Sequence, residues 1–158
     1  MKLFGADVDK QRIERLKHIP IFRELSRKEI LEVDQLLHER VYEKDEIVFE
    51  EGDAGHGVFI ILSGRLRADP NHKLFQTAVL EYGPGDLVGE LSLFEEGPRA
   101  ATVVAVERTV ALALFQAEFF SLLTRNTSIG VKVLVEISRT LCRRARQVFL
   151  QERRLPSV

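Results

Sequence analysis

The chain has 158 residues, 45% of them apolar and 30% charged, with a formal charge of -1. That is one domain's length with enough apolar material for a core, and too little positive charge overall for a protein that coats polyanions. The single cysteine, Cys142, excludes an internal disulfide and any cysteine-clustered metal site and points to a reducing, cytoplasmic setting. No apolar run reaches the roughly 18 residues needed to span a bilayer. The opening residues Met1 to Asp7 lack a secretory pattern, so the Asn126-Thr127-Ser128 sequon reads as chance.

The expected fold is α+β: an antiparallel barrel or jelly roll of about eight strands, flanked by N-terminal helices and a long C-terminal helix. Residues 1–158 read as a single domain. The N-terminal helices are placed at about 9–38. In the first piece Ile13 and Leu16 share a face, and Pro20 stops it. Ser26-Arg27-Lys28-Glu29 has capping-box spacing and opens a second helix, carried by Ile30, Leu31, Val33, Leu36 and Leu37 to near His38.

The β zone, 39–115, alternates short β-branched runs with turn signals. Ile47-Val48-Phe49, Val58 to Leu62, Leu66 with Ala68, and Ala78-Val79-Leu80 are strand candidates. Asp69-Pro70-Asn71 is a turn candidate. Thr102 to Val106 and Val110 to Phe115 read as a hairpin. The C-terminal helices occupy 116–153: a short one from Gln116 to Arg125, then a long one capped by Thr127 or Ser128 and ending near Glu152. Leu134, Ile137, Leu141 and Val148 form a seam on it, interrupted by Arg144. The seam suits either docking on the chain's own barrel or a homodimer through 128–152. Cys142 reads as core or interface.

One stretch breaks the β pattern. Gly89-Glu90-Leu91-Ser92-Leu93-Phe94 reads as a one-turn helix whose opening N–H groups favour an anion. Gly89 keeps side-chain bulk away from that backbone. Pro98 pre-sets the following turn. Arg99, flanked by Ala100 and Ala101, has room for a guanidinium fork suited to phosphate oxygens. Glu90, beside the same pocket, would repel phosphate and so accepts from another ligand group, such as a sugar hydroxyl. Taken singly, an arginine after Gly-Pro is usually a surface side chain and a glutamate there a solvated cap.

Together, Gly89-Glu90-Leu91-Ser92-Leu93 and Pro98-Arg99-Ala100-Ala101-Thr102-Val103 resemble the phosphate-binding cassette, 89–102, of the cyclic nucleotide-binding domain family. That family includes kinase A regulatory subunits and catabolite activator proteins. Phe22 to Ser26, Glu51-Gly52-Asp53, Phe59 to Gly64 and Pro84 to Glu90 add to the resemblance, which spans about 20–150. It implies that Arg99 pairs with the cyclic phosphate and that Glu90 takes the ribose 2′-hydroxyl. Amides near Gly89, Leu91, Ser92 and Ala100 or Ala101 complete the cradle. Ala100 stands where cGMP-selective members carry threonine, so cAMP is the expected ligand and cGMP the second candidate. The base is expected to be lined by 141–145. Val88, His56 and Ser92 depart from the residues common in the family. No catalyst or catalytic cofactor is implied.

The chain ends at Val158 without the helix-turn-helix of catabolite activators or the second module of kinase subunits, so it is expected to stand alone or to be a fragment. The expected function is cyclic nucleotide sensing by non-covalent binding, signalled through the C-terminal helices to an unidentified effector. The alternatives are a ligand-unresponsive dimerisation or interaction scaffold and a truncated transcription regulator. A metal-dependent cupin enzyme is disfavoured because His18, His38, His56 and His72 are isolated in sequence. Gly83-Pro84-Gly85 with Gly89 lacks the spacing and the βαβ setting of a dinucleotide site. From Lys132 to Arg154 seven positive residues face two negative ones, which could steer an acidic partner. DNA reading is not expected without a recognition element, and no membrane association is expected.

Overall fold

A computed structural model describes residues 3–69 and 80–152. The expected turn at Pro70-Asn71, the strand residues Ala78 and Val79, and His72 lie outside the described residues. Helix α1 (Leu3–Lys17) leads through a 3-10 turn (Pro20–Phe22) to α2 (Arg27–Asp34). Eight strands follow: β1 (His38–Tyr42), β2 (Ile47–Phe49), β3 (Gly57–Ser63), β4 (Leu66–Asp69), β5 (Leu80–Tyr82), β6 (Leu87–Val88), β7 (Thr102–Ala105) and β8 (Thr109–Phe115). Helix α3 (Leu91–Phe94) interrupts them, and α4 (Gln116–Arg125) and α5 (Thr127–Glu152) complete the order.

The strands make two four-stranded antiparallel sheets, ordered β1-β8-β3-β6 and β2-β7-β4-β5. This is the expected jelly-roll architecture. Alternation along β3 divides the core. Val58 and Ile60 face a helical layer containing Leu16, Phe22, Ile30, Phe119, Val133 and Ile137. Phe59 and Ile61 face the barrel interior with Leu66, Val88, Val103 and Ala105. Among the described residues, no helix is long and apolar enough to cross a membrane.

Local signals place several boundaries. Ser26 Oγ accepts from the Glu29 amide and Glu29 Oε2 accepts from the Ser26 amide, the reciprocal pair of a capping box. Other expectations are corrected. Helix α2 stops at Asp34, and His38 already belongs to β1; Leu36 and Leu37 extended the apolar pattern but pack outside the helix. Residues 102–106 and 110–115 do not form a hairpin. β7 pairs with β2 and β4, whereas β8 pairs with β1 and β3. The intervening chain crosses between sheets and is pinned by the fully buried Thr109 hydroxyl, which donates to the Arg65 and Glu107 carbonyls.

Two further corrections concern α5. Asn126, not Thr127 or Ser128, caps it, its Oδ1 accepting from the Ile129 amide at 3.5 Å. The Thr127 hydroxyl instead donates backward to the Leu123 carbonyl. The expected seam is split: Leu134, Ile137 and Leu141 pack on the chain's own core, whereas Val148 is exposed. Cys142 is exposed, so its core reading falls.

Candidate functional site

Strand β6 delivers the chain to Gly89, whose φ of +78° favours glycine. Glu90 is the N-cap of the single-turn α3. The amides of Ser92 and Leu93 donate to the Gly89 and Glu90 carbonyls, and fully buried Leu93 anchors the turn in the core. Leu91 is exposed, whereas Ser92 is buried. The chain returns through an isolated bridge between Pro98 and Ala54. The Arg99 amide then donates to the Asp53 carbonyl at 2.7 Å, and the Gly52 amide to the Arg99 carbonyl at 2.9 Å. These bonds fix the backbone from which the guanidinium projects. Ala100 is exposed, and half-buried Ala101 packs on the inner core.

Arg99 turns inward and is only 8% exposed. Its Nη1 donates to the Gly57 carbonyl at 3.0 Å and the Gly89 carbonyl at 3.2 Å. Its Cζ lies over the Phe49 ring, 4.1 Å from the centre, within cation–π range. Burial pulls its pKa below the ordinary value, and the charge of Asp53 opposes that. Among the described residues no carboxylate forms an ion pair with it, and its buried Nε has no acceptor. A buried guanidinium without a counter-charge is costly. The buried Nε is thus left with a donor that nothing among the described residues accepts from.

Gly55 allows this close packing. A Cβ there would come closer than 3.0 Å to both Ser92 Oγ and Arg99 Nε. The backbone of the β2–β3 loop therefore presses on the cassette and the arginine together. A cavity of about 230 Å³ opens beside Arg99, lined also by Phe49, Asp53, His56, Phe59 and Phe115. Of the residues expected to bind ligand, only Arg99 is among its walls; Gly89, Glu90, Leu91, Ser92, Ala100 and Ala101 are not.

Glu90 faces another way. Its Oε1 accepts from Arg144 Nη1, while Arg144 Nη2 donates to the Leu87 carbonyl. The Arg144 guanidinium also lies 5.1 Å from the Tyr82 ring centre. The glutamate side chain is 12% exposed and the arginine 27%. Helix α5 thus grips the cassette at the expected sugar ligand. Nearer its start it is fastened to the N-terminal layer. Arg23 Nη2 donates to Glu136 Oε2 at 2.6 Å, and Lys132 Nζ donates to Glu29 Oε1 at 2.8 Å.

Of the residues expected from sequence, Gly89, Ser92 and Arg99 meet at one point. Glu90 sits next to them but is engaged by α5. Phe49, Gly55, Gly57 and Tyr82 were not anticipated as parts of this site, and Arg144 was expected as a break in the seam and within the 141–145 base lining, not as the partner of Glu90. The glycines on either side of His56 were the available signal for a close backbone approach.

The protein-family model described as Cyclic nucleotide-binding domain matches residues 39–126. The chain is 33% identical over 127 residues to the Cyclic AMP receptor protein of Thermus thermophilus, covering 80% of this chain and 59% of the relative. It is 30% identical over 128 residues to a cAMP-dependent protein kinase regulatory subunit of Hypocrea atroviridis, covering 77% of this chain and 27% of the relative. It spans less than two thirds of either relative's length. The crystal structure of Thermus thermophilus Catabolite Activator Protein superposes with a TM-score of 0.73 at 34% identity, covering 84% of this chain and 61% of that one.

Proposed function

The chain belongs to the cyclic nucleotide-binding domain family, and from that premise we propose that residues 1–158 act as one non-enzymatic, cytoplasmic sensor of cAMP. One observation carries this reading. Arg99 is a buried guanidinium that has no carboxylate partner among the described residues and whose Nε has no acceptor. An anion seated there relieves an uncompensated charge. The ligand's cyclic phosphate pairs with Arg99 beside the Gly89 to Ser92 turn, with Ala100 and Ala101 bordering it. The ribose 2′-hydroxyl donates to Glu90, and cGMP binds more weakly. Because Glu90 also holds Arg144, ligand and α5 compete for or share one carboxylate. Binding therefore repositions the C-terminal helices for an effector protein.

Calorimetry with cAMP tests the assignment. Arg99→Ala is expected to weaken binding by roughly 2–5 kcal/mol by removing the partner of a buried charge. Arg99→Lys keeps the charge but loses the planar fork, so it is expected to fall between the two. Equal affinity in a folded Arg99→Ala variant and its parent overturns the reading. The Glu90–Arg144 pair favours one second reading: a scaffold whose latched α5 no longer responds to nucleotide. A thermal-shift screen separates the two. At a ligand concentration about a hundred times the Kd, a binding protein gains about 2.7 kcal/mol, and a scaffold gains nothing.

A further inference from the structure

The inner face of the β1-β8-β3-β6 sheet is not filled to its end. Phe59, Ala113 and Phe115 share that face, with Phe59 opposite Ala113 and Phe115 opposite Gly57 in the β3–β8 register. Ala113 and Gly57 put almost no bulk between the two rings. Val48 and Phe49 of β2 close the space from the other sheet. The cavity of about 230 Å³ beside Arg99 is what remains. It is smaller than the roughly 300–1,000 Å³ that drug-sized ligands occupy, so it suits a single ring. Its Phe115 wall is held in place from behind. The His38 ring centre lies 5.2 Å from that of Phe115, and His38 Nε2 is 2.7 Å from Glu118 Oε1.

The chemistry of the walls narrows the occupant. Arg99 is the buried ionisable group that lines the cavity, whereas Asp53 and His56 are exposed. An inorganic anion would lose its hydration against three phenylalanine rings, which reward an aromatic ring instead. The Asp53 carboxylate, fixed by the Glu50 amide at 3.1 Å, repels a second negative charge. We propose that this cavity is a second ligand site, separate from the cassette, for a small aromatic monocarboxylate whose ring lies among Phe49, Phe59 and Phe115 and whose carboxylate meets Arg99. None of the cassette residues expected to bind ligand lines the cavity except Arg99. The two sites therefore share one guanidinium and nothing else among those residues. Two anions on one cation weaken each other, and by linkage each does so by the same factor. The acid would thus act as a negative modulator of the nucleotide site.

The test uses the full chain with benzoate as the probe. Calorimetry is expected to show saturable binding of one benzoate per chain. Benzamide has the same shape without the charge, loses a charged hydrogen bond, and is expected to bind at least about tenfold more weakly. Ala113→Leu and Val48→Phe fill the cavity from opposite sheets. Each is expected to abolish benzoate binding while leaving cAMP affinity unchanged, with urea denaturation showing that the variants fold. In the unsubstituted chain, the benzoate ring protons are expected to give nuclear Overhauser contacts to the Ala113 methyl. Saturating cAMP is expected to weaken benzoate binding without excluding it. No saturable benzoate binding overturns the proposal, as does equal affinity for benzamide. Binding that survives in folded cavity-filling variants, or that gives no contact to the Ala113 methyl, also overturns it. Strict competition with cAMP places benzoate in the nucleotide pocket and has the same consequence. The nucleotide reading is judged apart, since it fails only if cAMP does not bind the parent chain.

Discussion

Gly89→Ala and Gly52→Ala form a matched pair that measures how far Arg99 is built into the site. Both glycines have positive φ, +78° and +89°. An alanine in that left-handed region costs about 1–2 kcal/mol wherever it sits. At Gly52 a Cβ meets nothing within 4 Å, so strain is the whole expected effect. At Gly89 the added Cβ would lie closer than 3.0 Å to Arg99 Nη1 and 3.4 Å from the Phe49 ring. The guanidinium cannot slide aside freely, because Nη1 is bonded to the Gly57 and Gly89 carbonyls and Cζ sits over the Phe49 ring. Displacing it sacrifices at least one charged hydrogen bond, worth about 1.5–3 kcal/mol. The difference between the two variants in urea denaturation is therefore expected to be at least about 1.5 kcal/mol. Calorimetry should show near-parental cAMP affinity for Gly52→Ala and at least a tenfold loss, about 1.4 kcal/mol, for Gly89→Ala. Equal stability loss in the two variants, with equal affinities, refutes the claim that Gly89 is small because Arg99 occupies its flank.

Glu90→Gln is expected to weaken cAMP binding less than Arg99→Ala, because it leaves a hydrogen-bond acceptor in place; a 2′-deoxy analogue that binds the parent as well as cAMP does removes the sugar role from Glu90. Burial of Glu136 raises its pKa, but hydrogen bonds from Arg23 and Arg139 outweigh that and hold it below its ordinary value of 4.5. A carboxyl depressed in the folded state stabilises fully above the unfolded value and loses that contribution as pH falls through the folded one. Stability is therefore expected to hold down to about pH 4.5 and decline below it, and Glu136→Gln is expected to flatten the decline; an unchanged acid limb in that variant refutes the assignment. Thr109→Val is expected to cost about 1–3 kcal/mol in denaturation, because it strands buried backbone groups at the sheet crossover, and a neutral result means that the crossover is held by other contacts.

Local chemistry was readable where it is completed by neighbours in sequence. The reciprocal bonds of Ser26 and Glu29 involve residues three apart, and the 116–125 helix shows in its own pattern. The cassette turn likewise showed as a break in β periodicity that opens at Gly89. What could not be read was set by partners far along the chain. β7 and β8 looked like a hairpin because only three residues separate them. Their pairing partners, however, are β2 and β4 for one and β1 and β3 for the other. Alternation says that a strand has a buried face, not which sheet it joins. The partner of Arg144 was hidden for the same reason. Charge at a seam position looks like an interruption until Glu90, 54 residues away, is folded beneath it. Phe49 and Gly57 carry no anion signal of their own and matter only because they hold Arg99 in place.

These positions separate affinity from response in the proposed sensor. A ligand shifts a conformational equilibrium only through contacts that differ between the two arrangements. Arg99 is fastened to Gly57, Gly89 and Phe49, all within the barrel and cassette. Its bond to phosphate would be much the same wherever α5 lies, so it contributes affinity and little bias. Glu90 belongs to both sides, since the carboxylate expected to take the sugar hydroxyl is the one that holds α5 through Arg144. The rest of the grip follows from where α5 is fastened. Its first half is held by buried Ile129, Val133 and Ile137 and by the Arg23–Glu136 pair. Beyond Leu141 the described side chains are exposed, apart from Arg144. A change at Glu90 therefore acts on the distal half of the helix, where holding contacts are few, while the proximal half stays docked.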